Sequence, residues 1–417
     1  MSTGPAHAAI QAVWRIESPR LIAGLTRLVR DVGLAEDLAQ DALVAALEQW
    51  PESGVPHNPG AWLMATAKHR GIDLLRRNAR LERKHAELAR ELQESEEPDL
   101  DAALDEGVED DLLRLVFMTC HPVLSREARV ALTLRLLGGL TTSEIARAFL
   151  VAEGTIAQRI VRAKRTLSEA RVPFEAPTPR ERGARLESVL EVVYLVFNEG
   201  YSATVGDDWV RPSLCQEALR LGRILAELVP AEPEVQGLVS LMELQASRLR
   251  ARVGAAGAPV LLLDQDRARW DHVLIARGLA ALERAQALGG PLGPYALQAT
   301  IAACHARART AEETDWVRIA ALYDALGQVA PSPVVELNRA VAVSMAFGPA
   351  AALEIVDALA GEPALANYHL LPSVRGELLA RLGRGAEARV EFERAASLTR
   401  NERERALLLA RRESRPP

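Results

Sequence analysis

The residues best suited to chemistry are arginine and glutamine side chains that recur on one face of a predicted helix. On this helix Ile156 and Ile160 are four residues apart and face inward, which turns Gln158, Arg162 and Arg165 outward. In the DNA major groove, arginine donates a bidentate pair of hydrogen bonds to guanine, and glutamine pairs with adenine in the same way. The pattern predicts a DNA-reading surface, although a helical hairpin with a solvated basic face would show it too.

A shorter helix is predicted immediately before this one. Thr141 and Glu144 have the spacing of a capping box, in which each side chain bonds the backbone amide of the other residue. Ile145 and Phe149 give the helix a buried stripe, and residues 150–152 form the turn to the next helix. The two helices together predict a helix-turn-helix, the commonest way to place a helix in the major groove.

A second group of polar residues lies near the N-terminus on a predicted amphipathic helix. Glu36, Asp37, Gln40 and Asp41 share one face, and Leu38 lies on the opposite, apolar face. By itself this pattern is typical of a solvated acidic surface, and it also suits a docking surface for a protein partner.

Carboxylates in the C-terminal half raise the question of an enzyme or metal site. Glu199, Asp264, Asp266 and Asp271 supply oxygen ligands of the kind that hard cations prefer. Their spacing lacks any tight ligand motif, so buried polar networks that fix helix packing are the favoured interpretation. We predict no metal, no cofactor and no catalytic residue, and the alternative of an enzyme built on residues 186–330 stays open.

The elements that position these groups are predicted to be helices throughout. In 417 residues the hydrophobic fraction is 49% but the aromatic fraction only 4%, a composition rich in Ala and Leu that favours an all-α fold. The net charge of −6 confines any DNA contact to local basic patches. No apolar run reaches the length of a membrane span and no secretory signal is recognisable, so we expect a cytoplasmic protein without membrane contact. The predicted segments are two helical domains at 1–85 and 112–172, an acidic linker at 86–111, a Pro-rich linker at 173–185, a helical module at 186–290 and helical repeats at 291–412.

The two N-terminal domains resemble extracytoplasmic-function (ECF) RNA polymerase sigma factors. Leu34–Trp50 with Pro59–Arg77 resembles sigma region 2, and Gly154–Lys164 resembles the recognition helix of region 4. The resemblance implies that the protein binds core RNA polymerase, through the β′ clamp helices and the β flap, and promoter DNA. Polymerase contacts are then expected at Glu36, Asp37, Gln40 and Asp41. DNA contacts are expected at Thr155, Gln158, Arg159, Arg162 and Arg165 for the −35 element, and at Asn58, Lys68, Arg76 and Arg77 around the −10 element.

Two details of this resemblance remain open. Arg159 could instead hold a phosphate or form a salt bridge between helices, and Ala157 replaces the larger polar residue that often stands at that position in the family. Trp62 fits the core of the domain better than a stacking platform for a flipped base.

The C-terminal half carries a weak internal repeat. Gly348 and Gly383 are 35 residues apart, and each is flanked by apolar helices, which matches the ~34-residue period of tetratricopeptide (TPR) repeats. This half also resembles the long extension of one ECF subgroup, in which the extension is taken to regulate the sigma factor. A cytosolic protein or peptide is its expected partner. The rival hypothesis is a helix-turn-helix regulator with a solenoid sensor that acts without polymerase.

Overall fold

The chain folds into two compact units, Met1–Val192 and Val193–Pro417. The structure, a computed structural model, describes residues 5–72, 108–149, 151–178, 180–203, 205–206, 209–254 and 257–413. Within these residues regular structure is almost entirely helical, and the only named strands are two residues long, so the all-α prediction is confirmed.

The first unit contains seven helices among the described residues, and an eighth continues across the division between the units. The elements are α1 Pro5–Val29, α2 Val32–Ser53, α3 over 59–72, α4 Val108–Thr119, α5 Arg126–Leu136, α6 Thr142–Phe149, α7 Glu153–Glu169 and α8 Arg182–Tyr201.

Helices α1, α2 and α3 share an apolar core. Leu21, Leu38 and Leu63 are each almost fully buried, and the ring of Trp62 packs edge-on against buried Trp50 with 5.3 Å between centroids. Trp62 therefore packs beside the core, as the sequence favoured. Asp31 begins α2 as an N-cap, because its carboxylate accepts the amide of Leu34 at 2.8 Å.

Helix α4 begins inside the segment that the sequence predicts to be a solvated acidic linker. Residues 108–111 form its first turn, and Asp111 is 2% exposed, with ion pairs to Arg27 of α1 at 3.2 Å and to Arg114 at 2.9 Å. The two arginines compensate this burial only in part, because burial still raises the pKa of Asp111 above its ordinary value. A pattern of acidic residues does not reveal such partners. The rest of the predicted linker, 86–107, lies outside the described residues.

The N-terminal part of α8 packs on α4 and α5. Arg185 donates to the carbonyl of Phe117 at 2.7 Å, and Ser188 donates to the carbonyl of Cys120 at 2.7 Å. Glu191 forms an ion pair with Arg129 at 3.2 Å. Residues up to Val192 thus complete the first unit and are more than a connection to the second.

The second unit is a succession of paired helices. Its first part has a core of Leu241, Leu244, Trp270 and Leu282, and its second part packs Leu337, Val356, Leu379 and Phe392 together. A parallel two-residue bridge joins Val205–Gly206 (β1) to Arg400–Asn401 (β2). Its helices are α9 Pro212–Leu228, α10 Pro233–Ala246, α11 His272–Ala287, α12 Pro294–Arg307, α13 Trp316–Val329, α14 Pro333–Phe347, α15 Pro349–Ala358, α16 Leu370–Arg381, α17 Gly385–Leu398 and α18 Glu402–Glu413, with single 3-10 turns at Leu262–Asp264, Arg267–Arg269 and Pro363–Leu365.

The two glycines of the predicted repeat occupy equivalent turns. Gly348 separates α14 from α15 with φ of 101°, and Gly383 lies between α16 and α17 with φ of 78°. A positive φ of this size strains any residue that carries a Cβ atom, so both turns favour glycine. Ala352 and Ala388, four and five residues after these glycines, are fully buried and permit close contact between neighbouring helices.

Candidate nucleic-acid and partner-binding surfaces

Helices α6 and α7 have the geometry of the predicted helix-turn-helix. The Thr141 amide donates to Glu144 at 2.8 Å and the Glu144 amide donates to the Thr141 hydroxyl at 3.2 Å, so the capping box is present. Ile145 of α6 and Ile156 and Ile160 of α7 are buried. These contacts hold the two helices together and determine which face of α7 is left to solvent.

The outward face of α7 is the one that the sequence predicts to contact DNA. Thr155, Gln158, Arg162 and Arg165 are all exposed, and Val161 beside them is 64% exposed. An exposed helix face with arginine, glutamine and threonine offers hydrogen-bond donors for base edges and a methyl-rich surface for thymine.

Two of the predicted DNA-contacting arginines have intramolecular interactions. Arg165 donates to Glu169 at 2.6 Å in an exposed pair one turn apart, which a phosphate can replace at small cost. Arg159 is half-buried. The pKa of Glu127 on α5 is lowered chiefly by its own backbone amide and Ser125, with a smaller contribution from Arg159. The charge of Arg159 thus acts on Glu127, but Arg159 forms no ion pair within the described residues, so the DNA contact and the helix–helix contact both stay open.

The residues predicted around the −10 element are only partly described. The connection between α2 and α3 begins only after Ser53, because α2 continues through Pro51. Asn58 is exposed, and its side-chain oxygen accepts the amide of Ala61 at 3.0 Å, which makes it the N-cap of α3. Lys68 is half-buried on α3. Arg76 and Arg77 lie outside the described residues.

The acidic face of α2 is divided by burial. Asp37 and Asp41 are exposed, and Asp41 pairs with Arg70 of α3 at 3.3 Å across the surface. Gln40 is half-buried and donates to Glu36 at 2.7 Å, while Glu36 itself is only 3% exposed. The four residues that the sequence places on one solvated face therefore differ in their access to a partner.

Glu36 is buried because two cations of the helix-turn-helix domain cover it. Arg135 of α5 donates through Nε to Glu36 Oε1 at 2.6 Å, and Lys164 of α7 pairs with the other carboxylate oxygen. Arg135 also donates to the carbonyl of Leu140 at 3.2 Å, which fixes the guanidinium. We call Glu36, Arg135 and Lys164 the ion triad. In this arrangement Glu36 cannot contact a separate protein.

The pKa of Glu36 reflects the same two partners. Burial by itself would raise the pKa, but the charges and hydrogen bonds of Lys164 and Arg135 outweigh it and hold the pKa below the ordinary value of 4.5. The carboxylate is therefore ionised at neutral pH, and its two ion pairs are fully formed.

Sequence reasoning did not identify Arg135 and Lys164, although a spacing signal exists. Lys164 follows buried Ile160 by four residues and precedes buried Leu167 by three, so it lies beside the inward stripe of α7. Glu36 likewise follows Val32 by four and precedes Ala39 by three, and both of these residues are buried. A charged residue in the buried stripe of a helix is rarely buried without a partner of opposite charge. Glu36 and Lys164 could therefore have been recognised as members of buried ion pairs, but the spacing does not show with which partner.

Besides the buried Arg27–Asp111 pair between α1 and α4, a further ion pair joins the same two domains at the surface. Arg15 of α1 donates to Glu144 of α6 at 3.0 Å, and Arg15 is 56% exposed. A solvent-exposed pair of this kind contributes less than ~1 kcal/mol. The ion triad, with its buried carboxylate, is therefore the stronger electrostatic link between α2 and the helix-turn-helix.

Three of the four carboxylates considered for an enzyme site have structural roles, and the fourth, Asp264, is exposed. Asp271 caps α11 by accepting the amides of Val273 and Leu274 at 3.0 and 3.1 Å, and Asp266 accepts the amide of Ala268 at 3.0 Å. Glu199 forms an ion pair with Arg211. Across the residues that the structure describes, no three His, Cys, Asp or Glu side chains are grouped so that they could hold a metal ion. A search of the same residues finds no helix with the length and apolarity of a membrane span.

Comparisons with known proteins match three parts of the chain. Residues 14–81 match the sigma-70 region 2 family, residues 114–167 match sigma-70 region 4, and residues 185–286 match a family of unknown function (DUF6596). An uncharacterized protein of Rhizobium meliloti (strain 1021) is 46% identical over 391 residues, which cover 94% of this chain and 92% of that protein. The similarity thus extends over both units.

Proposed function

Because the chain belongs to the sigma-70 family of RNA polymerase sigma factors, we propose that it acts as an ECF-type sigma factor whose C-terminal unit regulates it. Sigma factors of this family initiate transcription and are not enzymes. Region 2 corresponds to α1–α3, and region 4 corresponds to α4–α7. Work with core polymerase on promoter DNA would place the protein in the cytoplasm.

The exposed face of α7 is the observation that supports promoter recognition most strongly. Gln158 and Arg162 are one turn apart and both exposed, and neither side chain is paired with another residue in the described part of the chain, so both are available to a base. We propose that Arg162 and Gln158 read bases of the −35 element, while Thr155 and Arg165 bind its backbone. For Arg159, which is half-buried, we propose either a DNA contact or a salt bridge between helices.

The acidic face of α2 is the proposed polymerase surface. Asp37 and Asp41 are exposed and suit a basic or polar partner surface, and the Arg70 pair of Asp41 is exposed enough to exchange. Asn58, Lys68, Arg76 and Arg77 are proposed to serve the −10 element. Glu36 could join the polymerase surface only after the ion triad opens.

Promoter binding requires regions 2 and 4 to separate. The −10 and −35 elements are about 25 base pairs apart, which is about 85 Å of duplex at ~3.4 Å per base pair. Glu36 of region 2 and Arg135 of region 4 are 2.6 Å apart, so the two regions cannot occupy both elements while this contact persists. We propose that the closed arrangement is the form without polymerase and that the ion triad stabilises it.

Run-off transcription tests the function directly. The full-length protein with bacterial core polymerase is expected to produce a defined transcript from the upstream region of its own gene, whereas core polymerase alone should not. The double variant Asp37→Arg with Asp41→Arg changes only exposed charges and should give less transcript, because it weakens binding to core polymerase. A helix-turn-helix regulator would shift the same DNA in the absence of polymerase and give no transcript, and that result would replace the sigma-factor proposal.

The regulatory role of the C-terminal unit rests on its size and its helical pairs. Paired helices with glycine turns at equivalent positions, Gly348 and Gly383, support a TPR-like module that binds a protein or peptide. We propose that its occupancy sets the fraction of sigma factor that is competent for transcription. Since α8 packs on α4 and α5 up to Glu191, a chain that ends at Arg171 would also uncover region 4.

Truncation can still separate regulation from folding. A chain that ends after Tyr201 keeps all of α8, and a chain that ends after Arg171 removes it. We expect the chain that ends after Tyr201 to give either more or less run-off transcript than the full-length protein. If it transcribes as the full-length protein does under all growth conditions and with cell extract added, the C-terminal unit does not regulate the sigma factor.

A further inference from the structure

Three arginines of the second unit surround two aromatic rings. The guanidinium of Arg252 lies 3.8 Å from the ring centroid of Tyr201, and that of Arg267 lies 4.7 Å from Trp270. Arg248 lies near both rings, at 5.9 Å from Tyr201 and 5.8 Å from Trp270. Three positively charged side chains, Arg248, Arg252 and Arg267, thus lie close to the same two rings. They lie within or next to the segment that matches the family of unknown function.

None of these arginines forms an ion pair with a carboxylate among the described residues, although the charges of Glu312 and Glu313 act on Arg267 without direct contact. Arg267 donates to the carbonyls of His305 and Ala308 at 2.6 and 2.8 Å, and Arg252 donates to the carbonyl of Tyr201 at 3.0 Å. Arg248 donates only to the side-chain amide of Gln245. Most arginine–acceptor contacts elsewhere in the unit are ion pairs, so a group of three arginines on neutral acceptors is unusual for this chain.

Arg248 is the least compensated of the three. It is 7% exposed, and its Nε atom has no hydrogen-bond partner within the described part of the chain. Its two rings are near the ~6 Å limit of a favourable cation–π contact, whereas the rings of Arg252 and Arg267 are much closer. A guanidinium cannot lose its proton to avoid the cost of burial. An anion is the natural counterpart of such a group.

Two titratable side chains next to the arginines, His305 and Tyr323, are uncharged at neutral pH. Burial, followed by the charges of Arg248 and Arg267, lowers the pKa of His305 to about 3, so this buried imidazole is neutral. Burial raises the pKa of Tyr323 to about 12, with a contribution from Tyr194, so its hydroxyl keeps its proton and can donate. His305 and Tyr323 are therefore both neutral and add no negative charge next to Arg248.

We propose that Arg248, supported by Arg252 and Arg267, binds a small oxyanion ligand through a phosphate or carboxylate group. The planar fork of Arg248 suits bidentate recognition of either group. The stacked rings and backbone carbonyls hold Arg252 and Arg267 in place, so they contribute positive field while Arg248 makes the direct contact. This assigns a ligand-binding site to the second unit, and it does not depend on the sigma-factor function.

Ligand titration of the full-length protein tests the site. The probes are inorganic phosphate and succinate, each added at constant ionic strength against chloride, with heat of binding and the thermal unfolding midpoint as readouts. We expect saturable heat and a rising midpoint with at least one probe. Arg248→Met should weaken that binding at least tenfold. The control is Arg250→Met, an exposed arginine in the same turn, which should bind as the unmodified protein does.

The stability of the variants without ligand separates a binding site from a structural role. If Arg248 is retained for a ligand, Arg248→Met removes a buried charge that lacks a partner, and its unfolding midpoint without anion should be unchanged or higher. Arg248→Lys keeps the charge but not the fork, so it should bind more weakly than the unmodified protein. The proposal is overturned if the unmodified protein binds neither probe saturably, or if Arg248→Met and Arg248→Lys bind as well as Arg250→Met does.

Discussion

The acidic face of α2 and the basic face of α7 were predicted by the same helical periodicity, yet the structure treats them differently. On α7, Gln158 and Arg162 are exposed as predicted. On α2, Asp37 and Asp41 are exposed, but Glu36 is buried against two cations. Periodicity assigns a residue to a side of its own helix, whereas a second domain decides whether that side meets solvent.

The comparison also shows that one helix can serve two purposes. Lys164 lies on α7 beside the buried stripe, while Arg162, two residues earlier, faces solvent. The face proposed to read DNA is thus exposed, while Lys164 joins the helix that carries it to Glu36 of α2. Gln158 and Arg162 are already exposed, whereas Glu36 becomes accessible to a partner only when the ion triad opens.

The largest effect is expected from reversing the exposed charges of α2. Asp37→Arg with Asp41→Arg should weaken binding to core polymerase by about 3 kcal/mol, because like charges are brought together at the docking surface. Fluorescence titration of labelled protein with core polymerase measures this loss. Helical content by circular dichroism should not change, since both side chains are exposed. Undiminished polymerase binding by the double variant would show that this face of α2 is not the polymerase surface.

A smaller effect is expected on the basic face of α7. Arg162→Ala should weaken promoter binding by about 2 kcal/mol and relax the preference at one upstream base pair, as the loss of a bidentate arginine–guanine contact does. Binding to a set of promoter variants with single base changes measures both. Equal losses on promoter and scrambled DNA would instead make Arg162 a phosphate contact.

A still smaller effect is expected for Arg165, which lies on the same face of α7. Arg165→Ala should weaken DNA binding by less than Arg162→Ala does, about 0.5–1 kcal/mol, because its ion pair with Glu169 must be given up before it binds a phosphate. The loss should be the same for all sequences and should reduce the dependence of affinity on salt. A base-specific loss for Arg165→Ala would reverse the assigned roles of the two arginines.

Removing the charge of Glu36 from the ion triad should shift the protein from the closed form toward one in which regions 2 and 4 are separated. Glu36→Gln keeps the shape of the side chain but removes its charge, and should favour separation of regions 2 and 4 by about 1–2 kcal/mol, since Arg135 and Lys164 are themselves partly exposed. Energy transfer between dyes on α2 and α7 reports the separation. Asp37→Asn is the matched control, and it should leave the transfer efficiency unchanged. If Glu36→Gln and Asp37→Asn give equal transfer efficiencies, the ion triad does not stabilise the closed form.

The smallest effect is the response of this contact to acid. A carboxylate whose pKa is lowered on folding contributes stability that is present above its ordinary pKa and is lost as pH falls through the lowered value. The closed form of the unmodified protein should therefore be insensitive to pH near neutrality and open progressively below pH ~4.5, where Glu36 takes up a proton. In Glu36→Gln the same dyes should show a smaller change over this range.

The sequence by itself determined the helical class, the capping box of Thr141 and Glu144, and the outward face of α7, because each depends on residues close together in one helix. It also indicated the turns at Gly348 and Gly383, where only the local backbone is involved. Only the tertiary structure decided that Glu36 and Asp111 are buried, that Asn58 caps α3, and that no carboxylate of the described residues pairs with Arg248. Burial and charge compensation depend on partners far apart in the chain, such as Arg135 and Lys164 for Glu36, and no pattern within one helix specifies them.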